Sequence, residues 1–167
     1  TGGAQASTPP QIQMIFCQLG ALSRSQIQPF CQMADGTLLS EGLGMLLLKR
    51  LADAERDGDR IYAVVKGVGT SSDGKALGLL APRPEGEILA LQRAYEKSGI
   101  APESIGLIEA HGTGIPLGDR TEIHSLTQVF GSRQHLPHCA LGSVKSMIGH
   151  CLPCLLYTSP SPRDLAQ

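Results

Sequence analysis

Two short stretches bring together side chains that can do chemistry on a carbonyl. Glu109-Ala110-His111-Gly112-Thr113-Gly114 follows an apolar run at 105–108, and Gly142-Ser143-Val144-Lys145-Ser146-Met147-Ile148-Gly149-His150 follows another at 140–144. Each apolar run reads as a short buried strand. The end of a strand, where a loop begins, is the usual place for a functional side chain in an α/β protein. The glycines beside His111 permit a tight turn and the close approach of a ligand. Two imidazoles and a lysine, each near a strand end, suit an anionic or carbonyl-bearing substrate. A single histidine is more often a satisfied structural residue; a pair in matching settings argues for function.

The elements that must position these residues alternate between strand and helix. Pro9 and Pro10 open a helix carrying Ile12, Ile15, Phe16 and Leu19, with Gly20 as its stop. The stretch at 23–36 is polar and irregular, a loop. Residues 42–49 are apolar on both faces, the pattern of a strand covered on both sides. A short helix at 51–56 closes at Gly58, and the β-branched run at 61–69 predicts a second strand. The helix at 85–98 places Ile88, Leu91 and Tyr95 on one face and stops at Gly99. A further helix at 119–130 carries Ile123, Leu126, Val129 and Phe130. Strands alternating with helices imply a mostly parallel sheet with helices packed on it.

Composition narrows the class. The 167 residues suffice for one sizeable core, and 41% hydrophobic with 17% charged residues describes a globular chain. A net charge of −1 gives no attraction to nucleic acid or an anionic membrane. The longest apolar run, 43–48, is far too short to span a bilayer, and no leader opens the sequence. Five cysteines in irregular spacing speak for free thiols in a reducing, cytoplasmic compartment. The segment 151–167 differs in character. Pro153, Pro160 and Pro162 break it up, no hydrophobic period survives, and it reads as a disordered or misjoined tail after a first unit at 1–150.

Other motifs are weaker. The glycines from Gly112 to Gly118 nearly match a dinucleotide fingerprint, but their spacing is one residue too long and no acid follows at the expected distance. His135, His138, Cys139, His150, Cys151 and Cys154 offer zinc-type ligands, yet Cys151-x-x-Cys154 lacks a second pair. Ser72-Asp73-Gly74-Lys75 fits S-x-x-K, but Gly74 lies where a helix should start. Cys17 and Cys31 sit at no glycine-rich elbow or helix start that would activate them.

Taken in order, the motifs resemble the β-ketoacyl synthase (ketosynthase) family of polyketide and fatty-acid synthases. Those that carry the resemblance are Ala34-Asp35-Gly36-Thr37, Ser40-Glu41-Gly42-Leu43-Gly44, Leu48-Lys49-Arg50-Leu51, Gly58-Asp59-Arg60-Ile61-Tyr62-Ala63, Asp73-Gly74-Lys75, the His111 loop, Pro116-Leu117-Gly118-Asp119 and the stretch ending in His150. The resemblance implies a partial thiolase-like layered α/β fold, incomplete at both ends, from a homodimeric parent. It implies a decarboxylative Claisen condensation between an acyl thioester and a malonyl-type extender. Both substrates would be carried on the phosphopantetheine of acyl carrier protein, with no further cofactor and no metal. His111 and His150 match the family's two catalytic histidines, Lys145 and Glu122 its supporting pair, and Gly112, Thr113 and Gly114 its substrate loop. The nucleophilic cysteine belongs to a motif expected before Thr1, so this chain is expected to be an inactive piece of an acyltransferase. Ile115 stands where the family has threonine, and Cys31 where it has aspartate. The rival expectation is a non-catalytic module, either a decoy subunit or a small zinc-binding domain.

Overall fold

The computed structural model describes residues 1–6, 8–74, 82–131 and 139–152. Strand β1 (Gly2–Gln5) precedes helix α1 (Pro10–Gln18), strand β2 (Gly42–Met45) and helix α2 (Leu51–Arg56). Helix α3 (Pro84–Ser98), a single 3-10 turn at Pro102–Ser104, strand β3 (Leu107–Glu109), helix α4 (Pro116–Phe130), strand β4 (Ala140–Gly142) and the one-turn helix α5 (Lys145–Ile148) follow.

Helix starts are set by proline. Pro10, Pro84 and Pro116 each occupy the first turn, where a missing N–H costs nothing. Acidic residues in the first turns of α3 and α4 complement the helix dipole. α3 and α4 pack against each other, with Tyr95 and Phe130 meeting edge-to-face at 5.6 Å between ring centroids. Their contact also holds a buried polar pair, the Ser125 hydroxyl donating to Glu87 at 2.7 Å.

β3 and β4 run parallel, pairing Leu107 with Ala140, Ile108 with Leu141 and Glu109 with Gly142. Two isolated bridges, Leu22 with Thr37 and Leu39 with His150, are parallel as well. The exception is β1 with β2, which is antiparallel.

Two expected strands differ from expectation. The apolar run at 42–49 forms a ladder only to Met45. Leu46 N–H donates to the Thr1 carbonyl at 2.8 Å, the last register position the partner offers. Leu43, Met45 and Leu47, which share one face, are 72%, 77% and 99% exposed, so that face is uncovered, while Gly42 and Gly44 on the other are half-buried. The β-branched run at 61–69 joins no ladder among the described residues. It lies along α3 instead: a Cβ at Gly67 would sit 2.6 Å from the Ala94 carbonyl oxygen, and one at Gly69 would collide with that of Ala90. The guanidinium groups of Arg93 and Arg83 tie the segment's end to α3 through the Thr70 and Asp73 carbonyls, at 2.7 and 3.0 Å. Backbone approach has replaced pairing there. Strand β1 and helix α5 carried no sequence signal. Among the described residues no helix is long and apolar enough to cross a membrane. Lys75, His135, His138, Cys154 and residues 153–167 of the expected tail lie outside the described residues.

Candidate active site

The His111 loop is held from three sides. Glu122, on the second turn of α4, accepts the backbone N–H of His111 at 2.7 Å and of Gly112 at 2.9 Å, one on each carboxylate oxygen. The Ser143 hydroxyl, just past β4, bonds the carbonyls of Gly112 at 2.9 Å and His111 at 3.3 Å. Gly112 and Gly114 take positive φ, 40° and 77°. A Cβ at Gly112 would lie 2.7 Å from that of Ser143, and one at Gly114 would lie 2.6 Å from the Gly36 carbonyl oxygen. Both positions therefore require glycine for conformation and for space. Gly112, Thr113 and Gly114 are all buried, which makes them a rigid turn.

His150 arrives by a different route. Glu109, the last residue of β3, accepts the Val144 N–H at 2.7 Å and so anchors the start of α5. One helical turn later the chain pairs with the segment around Leu39. His150 N–H donates to Leu38 at 2.8 Å, and Ser40 N–H donates to the His150 carbonyl at 3.1 Å. The next residue, Cys151, is 2% exposed, with its sulfur 3.0 Å from the Ser40 hydroxyl. Leu152 takes a left-handed φ of 48°. Its N–H turns back onto His150 Nδ1 at 3.1 Å. A ring nitrogen that accepts an N–H carries no proton, so this contact suits the tautomer with its hydrogen on Nε2.

The two imidazoles meet. Their centroids are 5.9 Å apart with the rings at 87°, although 39 positions separate them in sequence. Lys145, at the start of α5, is 1% exposed. Glu122, expected as the partner of Lys145, has its two carboxylate oxygens on the His111 loop. Asp119 had no expected role, yet it is 5% exposed and its carboxylate accepts the N–H of Gly114 at 3.2 Å and of Phe30 at 2.8 Å. Its signal was present in the sequence as a second acid three residues before Glu122, on the same face of α4.

Among the described residues the cysteines differ in exposure. Cys17 and Cys31 are exposed, Cys139 is half-buried and Cys151 is buried. Among the described residues no three histidine, cysteine or acidic side chains converge as metal ligands.

The parallel pairing of β3 with β4, the packing of α3 on α4 and the two imidazoles brought together belong to an α/β fold of the thiolase-like type. Residues 1–54 match the β-ketoacyl synthase N-terminal domain and residues 62–154 the β-ketoacyl synthase C-terminal domain, so the chain belongs to the β-ketoacyl synthase family. The second match runs a few residues past His150, into the start of the segment set apart as a tail. The chain is 42% identical over 158 residues to polyketide synthase PksN of Bacillus subtilis strain 168, covering 89% of this chain and 3% of that protein. It is 42% identical over 151 residues to polyketide synthase PksL of the same strain, covering 89% and 3%. A polyunsaturated fatty acid synthase polypeptide of a Thraustochytrium species is 45% identical over 155 residues, covering 90% and 6%. Among solved structures, the ketosynthase from module 6 of the bacillaene synthase of Bacillus subtilis 168 superimposes with a TM-score of 0.85 at 42% identity, over 90% of this chain and 28% of that one. The oxazolomycin ketosynthase domain OzmH KS7 of Streptomyces albus JA3453 gives 0.83 at 38%, over 90% and 27%. The chain thus spans under a tenth of those synthases and under a third of those ketosynthase structures.

Proposed function

We propose that this chain supplies the two-histidine half of a ketosynthase site. The reaction is the decarboxylative condensation of an acyl thioester with a malonyl-type extender on acyl carrier protein. The observation that carries the reading is the edge-to-face contact of His111 and His150. The extender's carboxylate carbon–carbon bond breaks, CO2 leaves, and the electron pair moves onto the thioester oxygen as an enolate. Imidazole N–H groups aimed at that oxygen stabilise the developing charge where it forms. The enolate carbon then attacks the acyl carbonyl on a cysteine thiolate, which departs as the new carbon–carbon bond closes. Water-poor surroundings strengthen these hydrogen bonds.

Lys145 supports the pair. A lysine 1% exposed needs a countercharge to remain ionised. Glu122 is the carboxylate the family resemblance gives it, and through Glu122 the charge of Lys145 would bear on the His111 loop. The parent domain would be a homodimer. None of this chain's cysteines would provide the nucleophile: mass spectrometry of the chain exposed to an acyl thioester should find Cys17, Cys31, Cys139, Cys151 and Cys154 unmodified.

The decisive experiment transplants the matched residues into the bacillaene module 6 ketosynthase in place of its own. The chimera should condense acyl and malonyl thioesters. His111→Ala and His150→Ala should each lower the rate by roughly 100-fold or more, the loss typical of an oxyanion donor. Full condensation by the double variant would refute the reading.

A further inference from the structure

We infer that Asp119 and Phe30 form a positioning pair that, together with Ser143, fixes the His111 loop; this rests on the two-histidine reading of the site. Asp119 is not an ordinary helix-start acid. One carboxylate oxygen takes the Gly114 N–H, inside the loop; the other takes the N–H of Phe30, a residue 89 positions away. At 5% exposure a carboxylate is tolerated only when its oxygens are hydrogen-bonded, and these two donors do that.

Phe30 is held in a conformation it would not choose. Its φ is 60°, in the left-handed region, where a Cβ crowds the following carbonyl oxygen. A bulky side chain persists there only where its surroundings over-determine it. The Asp119 bond fixes the N–H end, and the consequence appears at the ring. A Cβ on Gly112 would come within 3.1 Å of Phe30 Cε2 and 2.7 Å of Ser143 Cβ. Gly112 is therefore packed against both the phenyl and Ser143, and the next residue back is His111, whose ring meets His150. The same carboxylate grips the far end of the turn at Gly114, whose carbonyl accepts the Gly36 N–H at 3.0 Å. Asp119, Phe30, Gly112 and Gly114 close a circuit of contacts. Glu122 holds the backbone donors of His111 and Gly112 within that circuit. The carboxylate sets Phe30, and Phe30 sets the backbone that aims the imidazole.

Amide exchange and proton NMR on the 167-residue chain test this without turnover. In the Asp119→Asn variant, which keeps a single acceptor oxygen, one of the two amides, Phe30 or Gly114, should exchange roughly tenfold faster, the loss of about one ordinary hydrogen bond. Phe30→Ala should weaken the ring-to-ring NOE between His111 and His150, whereas Phe30→Tyr, which keeps the wall, should retain it. Unchanged exchange at both amides in Asp119→Asn overturns the pair. So does a His111–His150 NOE that survives Phe30→Ala, or one lost equally in Phe30→Tyr. If Asp119→Asn fails to fold, the contrast between the two Phe30 variants decides alone. Failure of the condensation reading would show in the chimera's histidine variants and would leave these signals unmoved.

Discussion

At the residue scale the site is a problem of backbone donors. A tight glycine turn exposes several N–H groups in a row, and each must find an acceptor once it is buried. Here α4 answers with two carboxylates three residues apart. Glu122 takes the donors of His111 and Gly112, and Asp119 those of Gly114 and Phe30. Replacing Glu122 by alanine leaves two part-buried donors unsatisfied. The cost should be about 2 kcal/mol or more, read as a lowered denaturation midpoint; glutamine, which can accept only one of the two N–H groups, should cost less. His111, His150 and Glu122 were legible because their motifs keep the order and spacing of a family. Phe30 and the Leu152 N–H were not. Their contributions come from backbone groups, which every residue carries, and from contacts that only the folded chain creates.

At the element scale, helices were readable where strands were not. Proline starts, glycine stops and a repeating apolar stripe are local signals, and α1, α2, α3 and α4 follow them. A strand exists only if a partner pairs with it, so β-branched content at 61–69 could not guarantee a ladder. The α3–α4 contact makes a prediction about alkaline pH. Burial pushes the Tyr95 phenol above its ordinary 10.0, and the charge of a neighbouring Cys139 thiolate adds to the shift. The folded state therefore holds the phenolic proton more tightly than the unfolded chain. The resulting stability is complete below pH 10.0 and is lost as pH rises through the higher folded value. Ultraviolet titration at the phenolate band should show one tyrosine ionising late, and Tyr95→Phe should abolish that late step and flatten the alkaline loss of stability. An alkaline profile identical in both proteins would dismiss Tyr95 as its source. The α2 cluster gives the opposite sign. Arg56 and then Lys49 hold the Asp57 carboxyl below its ordinary 3.8, so their contribution is present above that pH and fades as pH falls through the lower folded value. Because these groups lie at the surface, added salt should weaken the effect, and the side-chain NMR signals of Arg56 and Lys49 should follow that titration.

At the scale of the whole molecule, the polar architecture of the site is more complete than the apolar core beneath it. The buried apolar residues among those described are small or few: Ala21, Ile27, Ala54, Ala90, Ala110 and Cys151. Many large side chains face outward, with Leu47 at 99%, Tyr62 at 83%, Met45 at 77%, Leu43 at 72% and Val65 at 71% exposure. Others, such as Met147 and Met33, are scattered, but these five lie on two extended segments, 42–49 and 61–69, and the second joins no ladder among the described residues. A surface of that kind is more than scattered exposed leucines; contiguous apolar strand edges are what drive chains to associate. The isolated chain should therefore bind a hydrophobic dye such as ANS strongly and self-associate as its concentration rises. Leu47→Lys with Val65→Lys should lower both responses while leaving the far-ultraviolet circular dichroism of the helices unchanged, because both side chains lie mostly in solvent and neither belongs to a helix. The charges would act only on association. Dye binding at the level of an ordinary folded monomer, with no concentration dependence in sedimentation, would show instead that the two segments find cover within a single chain.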